Sequence, residues 1–147
     1  MKGAHLIKSW AKTLPVIAMS SGEAELMSVV RGTTEALGLQ AVLQDFGVDA
    51  SIDVRSDATA AIGIVGRLGL GKVKHLAVSD LWVQQCARDG RAQYHKVGGK
   101  DNPSDAMTKA LGAQTLHKHA EFMGAVMRTG RAQAAPKARA HEESHAG

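Results

Sequence analysis

Aromatic side chains make up only 3% of this 147-residue sequence: two Trp, two Phe and one Tyr. A core must therefore rest on Leu, Val, Ile, Ala and Met. Cysteine occurs once, as Cys86, which excludes an internal disulfide and any cysteine-based zinc site. A run of about 18 apolar residues is missing, and so is a charged-then-apolar leader, so neither a membrane span nor secretion is expected. The expectation is a reducing intracellular compartment, cytoplasmic or nuclear. The glycines of GRLGLG at residues 66–71 do not match the GxxxxGK[ST] pattern of a phosphate loop. Acidic residues are absent from 58 to 79, a span that carries Arg67, Lys72, Lys74 and His75. The plain reading of such a run is a solvated loop; the functional one is contact with a phosphate backbone.

What is present suffices for one modest domain. Hydrophobic residues form 44% of the chain and the net charge is +4, with a sequence pI near 9.4. That length can bury a core, and the mild basicity is compatible with a nucleic-acid partner. Residues 5–10 and 14–19 read as two short strands joined by a polar turn. A long helix follows over residues 21–46, with Ser20 and Glu23 spaced as a capping box and Gly47 as its C-terminal cap. Residues 51–56 alternate as a strand, 58–65 and 75–88 read as helices, and 91–97 as a further strand. Asn102-Pro103 is a helix start, with Asn as N-cap and Pro at the first helical position. Helix is expected over 102–110 and again over 114–127. From residue 128 the chain is mostly Ala, Arg, Lys, Gln, His and Glu with almost no apolar anchor, which reads as a disordered basic-leaning tail. The fold class is mixed α/β, with helices connecting strands that could lie parallel.

Three acids stand in related places. Glu25 lies one turn into the long helix, on a stripe shared with Val29, Gly32, Ala36 and Leu43, where a carboxylate is desolvated unless a cation or donor meets it. Asp57 stands where a strand passes into a helix, the place where open α/β sheets bind ligands. Asp105 lies on the first turn of a helix after a loop. Taken singly each has a bland reading: Glu25 at the rim of the core, Asp57 as an N-cap, Asp105 as an acid complementing a helix dipole. Taken together they could converge as oxygen ligands for Mg²⁺. Paired metals held in this way serve in-line phosphoryl chemistry.

SSGEAEL, VRSDATAAIG, KVKHL and NPSDAMTKAL, in that order, resemble the motifs of the ribonuclease H domain of copia-type LTR retrotransposon Pol polyproteins. The resemblance covers roughly residues 5–126, and the N-terminal HLIKSWAKT is similar to the serine-tryptophan strand that precedes the first motif. It implies a ribonuclease H-like mixed sheet flanked by helices, cleavage of the RNA strand of an RNA–DNA hybrid, and two Mg²⁺ or Mn²⁺ ions held by four acids. By motif, Glu25, Asp57 and Asp105 are three of those acids, catalytic and metal-ligating. Lys74-His75 falls beside the nucleic acid, with Arg67 and Lys72. The implied partners are the hybrid and the reverse transcriptase portion of the polyprotein.

The sequence departs from the family at its start. The family's first, central strand carries the first catalytic aspartate, and only four residues precede His5 here. The resemblance therefore implies a partial domain over residues 1–127, truncated at its N-terminus, lacking its first strand and impaired in catalysis. A rival from another class is a non-catalytic nucleic-acid-binding or scaffold remnant of the same polyprotein, using the basic run and the tail; metal dependence separates the two. A hydrolase using His75, His95 or His117 lacks an identifiable nucleophile–base pairing.

Overall fold

The computed structural model describes residues 6–11, 18, 20–69, 78–126 and 130, and of residues 78–80 and 107 the backbone only. The expected strand at 14–19 falls almost wholly outside the described residues, and so do Lys72, Lys74, His75 and the tail from 128 onward, Gly130 excepted.

Helix α1 spans Ser21–Asp45. Ser20 is its N-cap in extended backbone, and its Oγ accepts the Glu23 N–H at 3.2 Å, one half of the expected box. The other end closes through Gly47 at φ 74°. Gly47 N–H donates to the Gln44 carbonyl and Val48 N–H to the Leu43 carbonyl, both at 2.9 Å, a Schellman closure that requires the left-handed residue. The helix buries Leu26, Val29 and Thr33. Gly22 continues that stripe toward the N-terminus: a Cβ there would lie 3.2 Å from the Ala60 Cβ, so glycine lets the two helices close up.

Strand β1, Asp53–Ser56, leads into helix α2, Thr59–Val65; helix α3, Val78–Arg88, then leads into strand β2, Gln93–Lys96. The strands pair in parallel with Val54 opposite Tyr94 and Arg55 opposite His95, a connection that needs a crossover such as α2 and α3 supply. One face of this two-stranded sheet turns Val54 and Tyr94 toward a core of Leu26, Val29, Ala58, Ala61, Ile64, Val65 and Val83. The core is aliphatic, as the shortage of aromatics requires. On the other face, His95 Nδ1 lies 2.7 Å from one oxygen of Asp53, and Arg55 Nε donates to the other at 2.8 Å. Cys86 is free and buried, and burial pushes its thiol above the usual range, which keeps it unreactive.

After β2 come two short 3-10 turns, Gly99–Asp101 and Pro103–Met107, and then helix α4, Ala113–Phe122. The expected α-helix over 102–110 is thus a 3-10 turn. Asn102 does cap it, its side chain accepting the Ser104 N–H at 3.2 Å with Pro103 next, but five residues form too short a run for the α-helical ladder to establish itself. Helix α4 stops at Phe122, short of the expected 127, where Gly124 takes φ 70°.

The expected strand at 5–10 is corrected as well. Residues 6–10 are not in a strand. Leu6 N–H donates to the Met123 carbonyl at 3.0 Å, and Lys8 reaches Glu35 on α1 at 2.7 Å. The segment is thus tied to helices, and among the described residues no strand lies beside it. With α1 it frames an open groove of about 730 Å³ lined by Ile7, Trp10, Leu39 and Val42 among others. Among the described residues no helix is long and apolar enough to cross a membrane.

Candidate active site

Both parallel strands point their carboxyl ends at the same place. Asp57 follows β1 directly and is exposed. It does not cap the helix behind it: Ala58 is the N-cap residue, without a side-chain bond, and its N–H goes to Ser56 Oγ at 3.2 Å. The carboxylate is left to face outward from the sheet end. The chain leaving β2 crosses in front of it, since a Cβ added at Gly99 would stand 3.8 Å from Asp57 Oδ2. Val97 N–H holds that crossing in register by donating to the Ser56 carbonyl at 3.0 Å.

The turn Pro103–Met107, which follows this crossing in the chain, carries Asp105. Its side chain is only 16% exposed, and the Lys109 ammonium lies 2.9 Å from each of its carboxylate oxygens. That bond to Asp105, followed by the Asp105 charge and then that of Asp57, holds the Lys109 ammonium above its usual range. Beside them Asp101 pairs with Lys118, whose hydrogen bond holds the Asp101 carboxyl below its usual range. The neighbouring His119 is buried.

Glu25 departs from its expectation. It is exposed, because the buried stripe of α1 runs through Leu26, Val29 and Thr33 and leaves Glu25 one position off. The desolvation argued from its sequence stripe does not arise. Among the described residues no three His, Cys, Asp or Glu side chains are grouped to hold a metal ion. Carboxylates such as those of Asp57 and Asp105 are the donor chemistry that suits Mg²⁺ or Mn²⁺.

Arg67 lies in the turn after α2 and is partly buried. That turn is held by Gln84 of α3, which is 3% exposed. Its Nε2 donates to the carbonyls of Ile64 at 2.8 Å and Gly69 at 3.0 Å, while its Oε1 accepts the Gly69 N–H at 3.0 Å. Sequence reasoning missed Gln84, since nothing in the pattern of α3 marks a polar residue as inward-facing. It missed Lys109 too, although the spacing of Asp105 and Lys109, four apart, is that of a helical ion pair.

Over 119 residues, 79% of the chain, the sequence is 25% identical to the Retrovirus-related Pol polyprotein from transposon TNT 1-94 of Nicotiana tabacum. The relationship is to a retrotransposon Pol polyprotein. The chain spans 9% of that relative's length. No family model matches the sequence, and no solved structure matches it.

Proposed function

We propose that this chain is a ribonuclease H-type domain of a copia-like Pol polyprotein, acting on the RNA strand of RNA–DNA hybrids. One observation supports the reading: Asp57 stands at the carboxyl end of β1, where the chain leaving β2 crosses in front of it, a Cβ at Gly99 falling 3.8 Å from its Oδ2, and the turn that follows this crossing carries Asp105. A convergence of acids at the strand termini is what metal-assisted phosphoryl chemistry asks of an α/β sheet. The four motifs and the Pol relationship support the same reading.

In this reading Asp57 and Asp105 offer oxygens to Mg²⁺ or Mn²⁺, an ion that commonly keeps several waters and needs only one or two protein carboxylates. Such an ion supplies an activated water and charge neutralisation at phosphate. Glu25, exposed on the first turns of α1, is the third acid, free to swing toward bound substrate. The Gln84-fastened turn presents Arg67 at the head of the basic run, and Lys72, Lys74 and His75 extend it along the phosphate backbone. The reverse transcriptase portion of the polyprotein supplies the hybrid.

The test is cleavage of an end-labelled RNA–DNA hybrid with Mg²⁺ or Mn²⁺ against a chelator control. Metal-dependent cutting is expected, with Asp57→Asn and Asp105→Asn each lowering the rate about a hundredfold or more. Cutting that survives both substitutions overturns the assignment. The second reading, a nucleic-acid-binding domain without catalysis, draws on the lack of a three-acid group among the described residues; hybrid binding unaffected by the chelator, with no cleavage, decides for it.

A further inference from the structure

Helix α1 carries two apolar faces. The first, through Leu26, Val29 and Thr33, is buried. The second runs through Leu39, Val42 and Phe46, three and four residues apart, roughly 130° around the helix axis from the first. It is exposed, Phe46 at 80%. Leu6, Ile7 and Trp10, exposed as well, line the groove together with Leu39 and Val42. A helix that is apolar on two sides is normally covered on both. At roughly 200 Å² for a fully exposed large side chain, these six residues leave on the order of 650 Å² in water. That is above the few hundred Å² a monomer ordinarily exposes in one patch. It approaches the roughly 800 Å² that each partner gives to a stable interface.

The charges along this face are sorted by end. Lys8 and Arg31 both reach the one carboxylate of Glu35, at 2.7 and 3.8 Å, which sets two cations against one acid. At the far end Asp45 closes the helix with no basic residue in its last turn, and Asp49 follows, both exposed. Acids there stand at the negative end of the helix dipole, so a cation is called for. A second α1 laid antiparallel brings its Lys8 and Arg31 to that end, and receives the same in return. Between the two ends, Gly32 and Gly38 line the groove, and a Cβ at either would meet nothing within 4 Å. Packing within one chain does not require these glycines, although each weakens the helix; they leave room for a neighbour.

We propose that this face docks a second copy of the chain, two α1 helices packing antiparallel about a two-fold axis near Gly38, with Phe46 of each entering the groove of the other. The contact is isologous, so every favourable pairing occurs twice. Neither Asp57 nor Asp105 lines the groove, and the proposal is independent of their reading as metal ligands.

Sedimentation equilibrium of the full chain over about 1–200 µM tests this, with a monomer–dimer Kd on the order of 10 µM expected. Val42→Glu and Phe46→Glu should each raise Kd about tenfold or more. Glu is a better helix former than Val or Phe, so the Tm of the dilute monomer should not fall. Arg31→Glu and Asp45→Lys should each weaken association about three- to fivefold. Combined in one chain they should bring Kd back to within about twofold of wild type, because the reversed ends meet again. A chain that stays monomeric to about 200 µM overturns the proposal and leaves the face to a different partner. A dimer indifferent to both Val42→Glu and Phe46→Glu forms elsewhere and overturns it as well. If Val42→Glu lowers the Tm of the dilute monomer and leaves the mass unchanged, the face is covered from within the chain, and the proposal falls. Single charge reversals that the combination fails to rescue overturn the antiparallel arrangement.

Discussion

Gln84 illustrates how one buried polar side chain can fasten a turn. Its amide makes three bonds across the turn after α2, all to backbone, and leaves no polar atom of its own to be desolvated unpaired. Gln84→Leu keeps the volume and removes every one of those bonds, leaving the Ile64 carbonyl to the backbone N–H of Arg67 and the Gly69 N–H and carbonyl without their protein partner. The expected cost is about 2–3 kcal/mol in urea unfolding, with the turn at Arg67 loosened as well. Asp53 offers a prediction in pH. The His95 hydrogen bond comes first and Arg55 adds to it, together outweighing a smaller opposing effect of burial, so its carboxyl sits below the ordinary range. A group depressed in the folded state contributes stability above its unfolded pKa, near 3.9, and that contribution is lost as pH falls through the folded value. Asp53→Asn should therefore lower Tm slightly at pH 6, with the difference from wild type shrinking below about pH 4. Thermal scans across that range check it. Parallel curves at all pH values would show that the Asp53 bonds are not linked to folding.

Helices and strands with a strong local signature were legible from residue 21 onward. Alternation marked β1, and Ser20 and Gly47 marked the ends of α1, because caps and periodicity are local physics that tertiary packing here leaves intact. Residues 6–10 failed for the opposite reason. HLIKSW has the composition of a strand, but a strand exists only where a neighbour accepts its backbone groups, and Leu6 and Lys8 bond to helices instead. The 3-10 turn at Pro103–Met107 shared its cap with the expected helix and differed only in length. For the site, motif order brought Asp57 and Asp105 to attention, while the burial argued for Glu25 depended on which helical stripe met the core, and that stripe runs through Leu26, Val29 and Thr33. The basic run after α2 carries its own prediction. Replacing Arg67, Lys72 and Lys74 with Ala should weaken hybrid binding and flatten its dependence on log salt by up to about 2–3 in slope, each lost phosphate contact removing a counterion-release contribution. Fluorescence anisotropy over a salt series measures it, and an unchanged slope returns the run to a solvated loop.

Taken whole, the described residues fall into an inner and an outer part. Helices α1, α2 and α3 and the sheet converge on one aliphatic core, whereas α4 and the turn Pro103–Met107 pack chiefly on each other. Asp57 belongs to the inner part, following β1 where it meets α2. Asp105 belongs to the outer one. Few apolar contacts tie the outer part down, so its opening free energy should lie well below that of the whole chain. Amide hydrogens then report the division directly. Those of Leu26, Val29 and Ile64 should exchange only through global unfolding, while those in residues 113–122 should exchange sooner, through local opening. In the proposed reading the acids Asp57 and Asp105 are thus split between two parts that open at different free energies, and they can act together only while the outer part is closed. An ion held by both acids would draw on that equilibrium, slowing exchange in α4 by a factor that grows with its concentration above Kd and leaving the core amides slowed only to the extent that the whole chain is stabilised.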